Sequence, residues 1–208
     1  MNSVGAIVLA AGESSRFRAE GGLAATKLVE TLGGKPLVRM AAEAALASRA
    51  RPVIVVTGHA RSAVEAALAS LKVETVYNQK FASGLASSLG IGLAAMPADI
   101  AGALILLGDM PWIDARLIDS IIGAFLAHDG ALAAAPTRAG RRGNPVLLGR
   151  GLFAAAARLT GDEGARRLIG ALNADELIEV EAPGAGVTVD IDTPDDLAAA
   201  RRSRAGQG

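Results

Sequence analysis

Apolar runs of strand length alternate with Ala- and Leu-rich stretches of helical spacing along most of this chain, and that rhythm limits the fold more than any other feature. The runs are Val4–Leu9, Pro52–Thr57, Val73–Tyr77, Ala103–Leu107 and Ala131–Ala135, and the helical stretches are Pro36–Ser48, Arg61–Ser70, Leu85–Met96 and Asp114–His128. Such alternation implies βαβ units, a mostly parallel sheet and helices on both of its faces. Pro36 suits the first turn of a helix, and Asp114 reads as an N-cap. After Ala135 the rhythm changes. The stretch from Pro136 to Pro145 is turn-rich and basic, and Val146-Leu147-Leu148 is apolar again. We expect residues 137–148 to form a flap or small β excursion. Short helices are expected near Gly151–Leu159 and Glu163–Leu172, and strands near Glu176–Glu181 and Val187–Asp192. A last helix is expected to open at Thr193 and Pro194; the chain is basic over Arg201-Arg202-Ser203-Arg204, and residues 203–208 are expected to fray. The expectation is a single domain over residues 1–208.

Ligands of parallel α/β sheets bind beyond the carboxyl ends of the strands. On this reading Ala10–Arg18, Thr57–His59, Asn78–Gly84 and Gly108–Pro111 share one crevice. The formal net charge is zero, so the chain has no general electrostatic footprint for nucleic acid, and cations that hold an anion must be placed locally. The absence of cysteine excludes disulfides, thiol nucleophiles and Cys-ligated zinc. His59 and His128 lie too far apart in sequence to suggest a His-based metal site. No apolar run approaches the roughly 18 residues that span a bilayer, and the N-terminus lacks a signal-peptide pattern. A cytoplasmic protein with neither nucleic-acid nor membrane partners is the expectation.

Four segments carry polar chemistry. Val4–Leu9 breaks into Ala10-Ala11-Gly12-Glu13-Ser14-Ser15-Arg16, with Lys27 beyond. Small residues let backbone N–H groups approach phosphate oxygens, and the cations neutralise them. Neither the Walker A spacing nor GxGxxG is present. In Leu106-Leu107-Gly108-Asp109, a strand-end carboxylate can hold Mg²⁺, a hard cation that prefers carboxylate and phosphate oxygens, or can cap a turn. In Val189-Asp190-Ile191-Asp192, strand alternation puts both carboxylates on one face, which calls for a cation between them; alternatively Asp192 serves the following helix dipole. In Asn78–Ser88, the side chains of Asn78, Ser87 and Ser88 and the backbone at Gly84 can hydrogen-bond a base or ribose, or form a plain helix entry. The hairpin cations Arg138, Arg141 and Arg142 are either solvated or capture an anionic second substrate. His59 reads as a helix-entry residue.

Taken together, LAAGESSRF (Leu9–Phe17), Lys27, GGKPLV (Gly33–Val38), VTGH (Val56–His59), LLGDMP (Leu106–Pro111), RGNPVLL (Arg142–Leu148), GDEGAR (Gly161–Arg166) and DIDTPDDL (Asp190–Leu197) resemble the MobA-like nucleotidyltransferases, most of all the molybdenum cofactor cytidylyltransferase (MocA) branch. The resemblance spans nearly the whole chain. It implies a Rossmann-like sheet of the nucleotide-diphospho-sugar transferase type. It implies transfer of CMP from CTP to the phosphate of molybdenum-bound molybdopterin, with release of pyrophosphate. The branch reads LAAG where GTP-using relatives read LAGG. Carried over by motif, the nucleotide would meet Leu9, Ala10, Ala11, Gly12, Ser14, Asn78, Gly84 and Ser88. Lys27, Arg16 and Asp109 would be catalytic, Asp109 and Asp192 would hold Mg²⁺, and Arg142 and Asn144 would hold the acceptor. Molybdenum hydroxylases or their maturation factors would be the partners. The chain departs from the pattern in its longer Phe17–Thr26 stretch, a candidate lid delivering Lys27, and in Asn144, where relatives often carry His. Two other readings stay open: transfer to a sugar 1-phosphate or another small phosphate, and a non-catalytic carrier of the molybdenum cofactor.

Overall fold

The computed structural model describes residues 3–205. Its strands are β1 (Val4–Ala10), β2 (Thr31–Leu32), β3 (Lys35–Pro36), β4 (Val53–Thr57), β5 (Glu74–Tyr77), β6 (Gly102–Leu107), β7 (Ala133–Arg138), β8 (Arg141–Arg142), β9 (Val146–Gly149) and β10 (Leu177–Glu181). Its helices are α1 (Ser15–Ala19), α2 (Leu37–Ala47), α3 (Arg61–Ala67), α4 (Leu85–Ala94), α5 (Ala115–Leu126), α6 (Phe153–Ala156), α7 (Ala165–Ile169) and α8 (Pro194–Ala205). The main sheet runs β10-β7-β9-β6-β1-β4-β5, with β8 paired to β7. The β1–β4, β1–β6, β4–β5 and β7–β10 pairings are parallel, and β9 runs antiparallel between β6 and β7.

Strand periodicity explains the layers. Along β1, Val4, Ala6, Val8 and Ala10 face one core and Ile7 and Leu9 the other. Every residue of β1 is buried, so this strand is apolar throughout rather than alternating. The first core is covered by α2 and α5, the latter through Leu117, Ile118, Ile121, Ile122 and Phe125. The second is covered by α4 through Leu89 and Leu93, and by α6 and α7. Within α4, a Cβ on Gly92 would come 2.7 Å from the Ile7 Cγ2, so glycine sets how closely this helix lies on β1. A third cluster joins Phe17, Leu32, Leu37, Ile191, Leu197 and Ala200, tying α1, the β2–β3 hairpin and α8 together.

Several local expectations change. The 137–148 segment is not detached from the sheet: its turn returns as β9, inside it. Residues 187–192 form no strand; a 3₁₀ turn over Ala185–Thr188 leads into extended backbone. The two short helices contract to α6 and α7, and Pro36 ends β3 as the cap of α2 rather than its first residue. Asp114 does cap α5, its carboxylate accepting from the Leu117 N–H at 2.9 Å. Residues 203–205 are the last turn of α8; 206–208 lie outside the described residues. The chain passes from β1 to β4 and β5 on one side, then returns to β6 on the other. The sheet reverses direction of growth beside β1, and a crevice opens at the carboxyl ends there.

Candidate active site

The strand β1 ends at Ala10, and the next residues turn sharply into α1 through Ser14, whose φ of 54° is left-handed. The Ser14 hydroxyl lies 2.9 Å from the Thr26 hydroxyl and accepts the Lys27 backbone N–H at 3.1 Å. Two bonds from His59 add to this stitching. Its backbone N–H donates to the Ala11 carbonyl at 3.0 Å, and its ring Nε2–H donates to the Ala25 carbonyl at 3.0 Å. Lys27 is therefore delivered by a segment tied to the first loop directly through Ser14 and indirectly through His59. The preceding stretch is not free either: Phe17 is buried, and the Gly22 N–H donates to the Phe17 carbonyl at 2.9 Å. At its tip Leu23 stands fully in solvent.

The Lys27 ammonium sits between two carboxylates, 2.7 Å from Asp109 Oδ2 and 2.5 Å from Asp192 Oδ1. Arg16 pairs with the other oxygen of Asp192. Burial alone pulls the Lys27 ammonium down, but Asp109 and Asp192 outweigh it and hold the group above the ordinary lysine value. Burial pushes the Asp109 carboxyl up, Asp190 pushes it further, and Lys27 offsets this only in part. The Asp109 Oδ1 is buried with no hydrogen-bond partner. An orphaned carboxylate oxygen beside Asp190 and Asp192 has more negative charge near it than Lys27 neutralises. Hard oxygen donors of this kind fit Mg²⁺ or Mn²⁺ completed by phosphate oxygens. Among the described residues no group of three His, Cys, Asp or Glu side chains forms a self-sufficient metal site. The residues thus fit a cation that arrives with a ligand.

The crevice encloses about 530 Å³. Leu9, Ala11, Gly12, Ser14 and Arg16 line it from the first loop. Gly84, Ser88, Lys27, Asp109 and Asp192 line it from elsewhere. A Cβ on Gly12 would meet nothing within 4 Å, which leaves its backbone open to a ligand. Three expected contacts are corrected. Ala10 packs into the core beneath the loop, because strand alternation turns its side chain away from the crevice. Asn78 is fully buried; its amide donates to Ser87 and Ser88 at 2.8 and 2.9 Å and its oxygen accepts from the Lys80 N–H, so it positions those serines. Arg142 is exposed and pairs with Glu179 on β10 instead of reaching the crevice. Ser14 lines the crevice, but its hydroxyl already serves the Lys27 segment.

Asn144 lines a second cavity of about 360 Å³, which shares Leu9, Leu85, Leu107, Asp162 and Asp190 with the first. Gly84 lies where the two loops meet: at φ +102° a Cβ would come 2.3 Å from the Gly161 carbonyl. The Ala86 N–H donates to that same carbonyl, and Asp162 accepts from the Leu85 N–H at 3.4 Å. Asp162, Asp190, Phe81 and Arg166 were not named as site residues from the sequence. The GDEGAR segment and the paired Asp190/Asp192 were the signals that could have found three of them; Phe81, between Lys80 and Ala82, left none.

A family model for the MobA-like NTP transferase domain matches residues 6–177. A curated relative, the bifunctional protein GlmU of Leifsonia xyli subsp. xyli, is 31% identical over 173 residues, 81% of this chain and 35% of its own length. The chain spans about a third or less of the curated relatives it matches. Among solved structures, a nucleotidyl transferase from Methanothermobacter thermautotroptrophicus superposes with a TM-score of 0.84 at 26% identity, covering 100% of both chains. The Rv0371c protein of Mycobacterium tuberculosis H37Rv, in complex with manganese, superposes with a TM-score of 0.81 at 25% identity, covering 97% of this chain and 100% of its own.

Proposed function

The chain belongs to the MobA-like NTP transferase family, a family of nucleotidyltransferases, and on that premise we propose that it moves CMP from CTP to the phosphate of molybdenum-bound molybdopterin. The observation that carries the reading is Lys27 held between Asp109 and Asp192, next to an orphaned Asp109 oxygen at the floor of the crevice. An acceptor phosphate oxygen attacks the α-phosphorus, the bond to the β-phosphate breaks, and pyrophosphate leaves. The attacking oxygen is already anionic, so no general base is needed, and catalysis rests on positioning and charge neutralisation. Backbone amides around Gly12 and the exposed Arg16 side chain hold the β- and γ-phosphates. Lys27 exchanges its carboxylate partners for the α-phosphoryl oxygens. Asp109 and Asp192 would hold Mg²⁺, which supplies further neutralisation of the triphosphate when bound.

The preference for cytosine rests on Ala11. It is the position at which the LAAG pattern differs from LAGG, and it lines the crevice where Ala10 does not. Molybdenum hydroxylases or their maturation factors would receive the product. The test is pyrophosphate release with CTP, GTP, UTP or ATP in Mg²⁺, each with molybdenum-bound molybdopterin and with sugar 1-phosphates. Release with CTP and the molybdopterin acceptor is expected. Preference for another pair would overturn the substrate assignment, and no release with any pair would favour a carrier.

A further inference from the structure

We infer that the second cavity receives the acceptor and that Arg166, not the Arg138–Arg142 hairpin, holds an anionic or carbonyl-rich group of it remote from the reacting phosphate. This rests on the transfer reaction proposed above. The two cavities share lining at Leu85, Leu107, Asp162 and Asp190, so a ligand in one abuts a ligand in the other. Leu89, Ile105 and Met110 line only the second, and they give it an apolar floor. Arg166 is the one cation among its lining residues, and it does not line the first. It is exposed and makes no ion pair among the described residues, whereas the adjacent Arg167 pairs with Glu163.

Two of the three hairpin cations are occupied elsewhere. Arg138 lies 3.2 Å from the Ala182 carbonyl and 3.8 Å from Glu181, and Arg142 lies 2.5 Å from Glu179. Neither of them, nor Arg141, lines either cavity. An unpaired guanidinium over an apolar floor matches a flat molecule with an anionic or carbonyl edge, because its planar fork binds two oxygens at once. Asp162 and Asp190 stand at the junction and would repel an anion there. The acceptor therefore presents hydrogen-bond donors at its middle, its phosphate toward Asp109 and its second oxygen-rich group toward Arg166.

Two probes isolate the remote group: 4-carboxyphenyl phosphate, which carries it, and phenyl phosphate, which does not. Calorimetric titration of the full chain in Mg²⁺ is expected to show at least tenfold tighter binding of the first. Arg166→Ala should abolish that preference, Arg166→Lys should keep part of it, and Arg142→Ala should leave it intact. CTP affinity and melting temperature should stay at wild-type values in all three. Loss of the preference in Arg142→Ala, its persistence in Arg166→Ala, or its absence in the wild type would each overturn the assignment. Binding is read without turnover, so a failed pyrophosphate assay beside an Arg166-dependent preference would count against the transfer reaction and not against this site.

Discussion

Lys27 has two possible sets of partners, the carboxylates that hold it now and the phosphate oxygens it is placed to meet. Replacing it by alanine removes a preorganised cation, a loss worth about 10²–10³ in turnover for a single stabilising donor. Lys27→Ala is therefore expected to cut pyrophosphate release by at least about a hundredfold, while circular dichroism shows the fold intact. Asp109→Asn keeps the side-chain shape but removes the charge that a hard cation requires. It should lower activity by a similar factor and weaken the dependence of CTP binding on Mg²⁺; retention of that dependence would exclude Asp109 as a ligand. Ala11→Gly changes one methyl group on the crevice wall and should shift the CTP-to-GTP ratio of kcat/KM toward GTP.

At the level of elements, two of the three helices that meet in the third core, α8 and α2, differ in how they are secured. At the start of α8 the Thr193 hydroxyl accepts the Asp196 N–H at 3.1 Å, while Asp196 accepts the Thr193 and Asp192 N–H groups in return. This reciprocal cap sets the direction in which Asp192 leaves the helix. Thr193→Ala should cost about 1 kcal/mol of stability and reduce activity as well, since Asp192 loses its support. On α2, Glu43 accepts from Lys35 at 2.7 Å and from Arg39 at 2.9 Å. The Lys35 hydrogen bond, with help from Arg39, holds its carboxyl below the ordinary glutamate value. A depressed carboxyl contributes stability that is present above the unfolded value, about 4.3, and is lost as pH falls through the folded one. Glu43→Gln should thus destabilise by under about 1 kcal/mol at pH 7, and denaturant midpoints of variant and wild type should converge on acidification below pH 4.

Across the whole molecule, the site is an assembly of distant chain segments. Asp192 lies 165 residues from the lysine it holds, and the second cavity needs α4, β6, α7 and the 185–188 turn in place. A ligand that bridges these segments binds the folded chain alone and stabilises it by mass action, about 2.7 kcal/mol at a hundred times its Kd. CTP with Mg²⁺ should therefore raise the melting temperature more than GTP, UTP or CTP with EDTA. Equal shifts with every nucleotide would argue against base selection. No helix among the described residues is long and apolar enough to cross a membrane.

The βαβ order, the layers and the crevice edge were legible in the chain, because strand and helix periods are local properties; Lys27, Asp109 and Asp192 were candidates on local motif, and the fold brings the three within ion-pair distance. What lay beyond it depended on partners far away in sequence. Ala10 and Asn78 read as ligand contacts, yet the direction of a strand-end side chain and the availability of an amide are decided by neighbours. Ala10 has the core beneath it, and Asn78 has Ser87 and Ser88. Arg142 read as an anion hook, but Glu179 on β10 lies beside it once β7 and β10 pair. Segment 137–148 looked like an excursion because an antiparallel strand inside a parallel sheet has the same local pattern as a flap. Only tertiary packing brings Arg166, which makes no ion pair among the described residues, into the lining of the cavity floored by Leu89, Ile105 and Met110. Charge can be counted along a sequence, but whether it is neutralised depends on which residues come within a few ångströms of it.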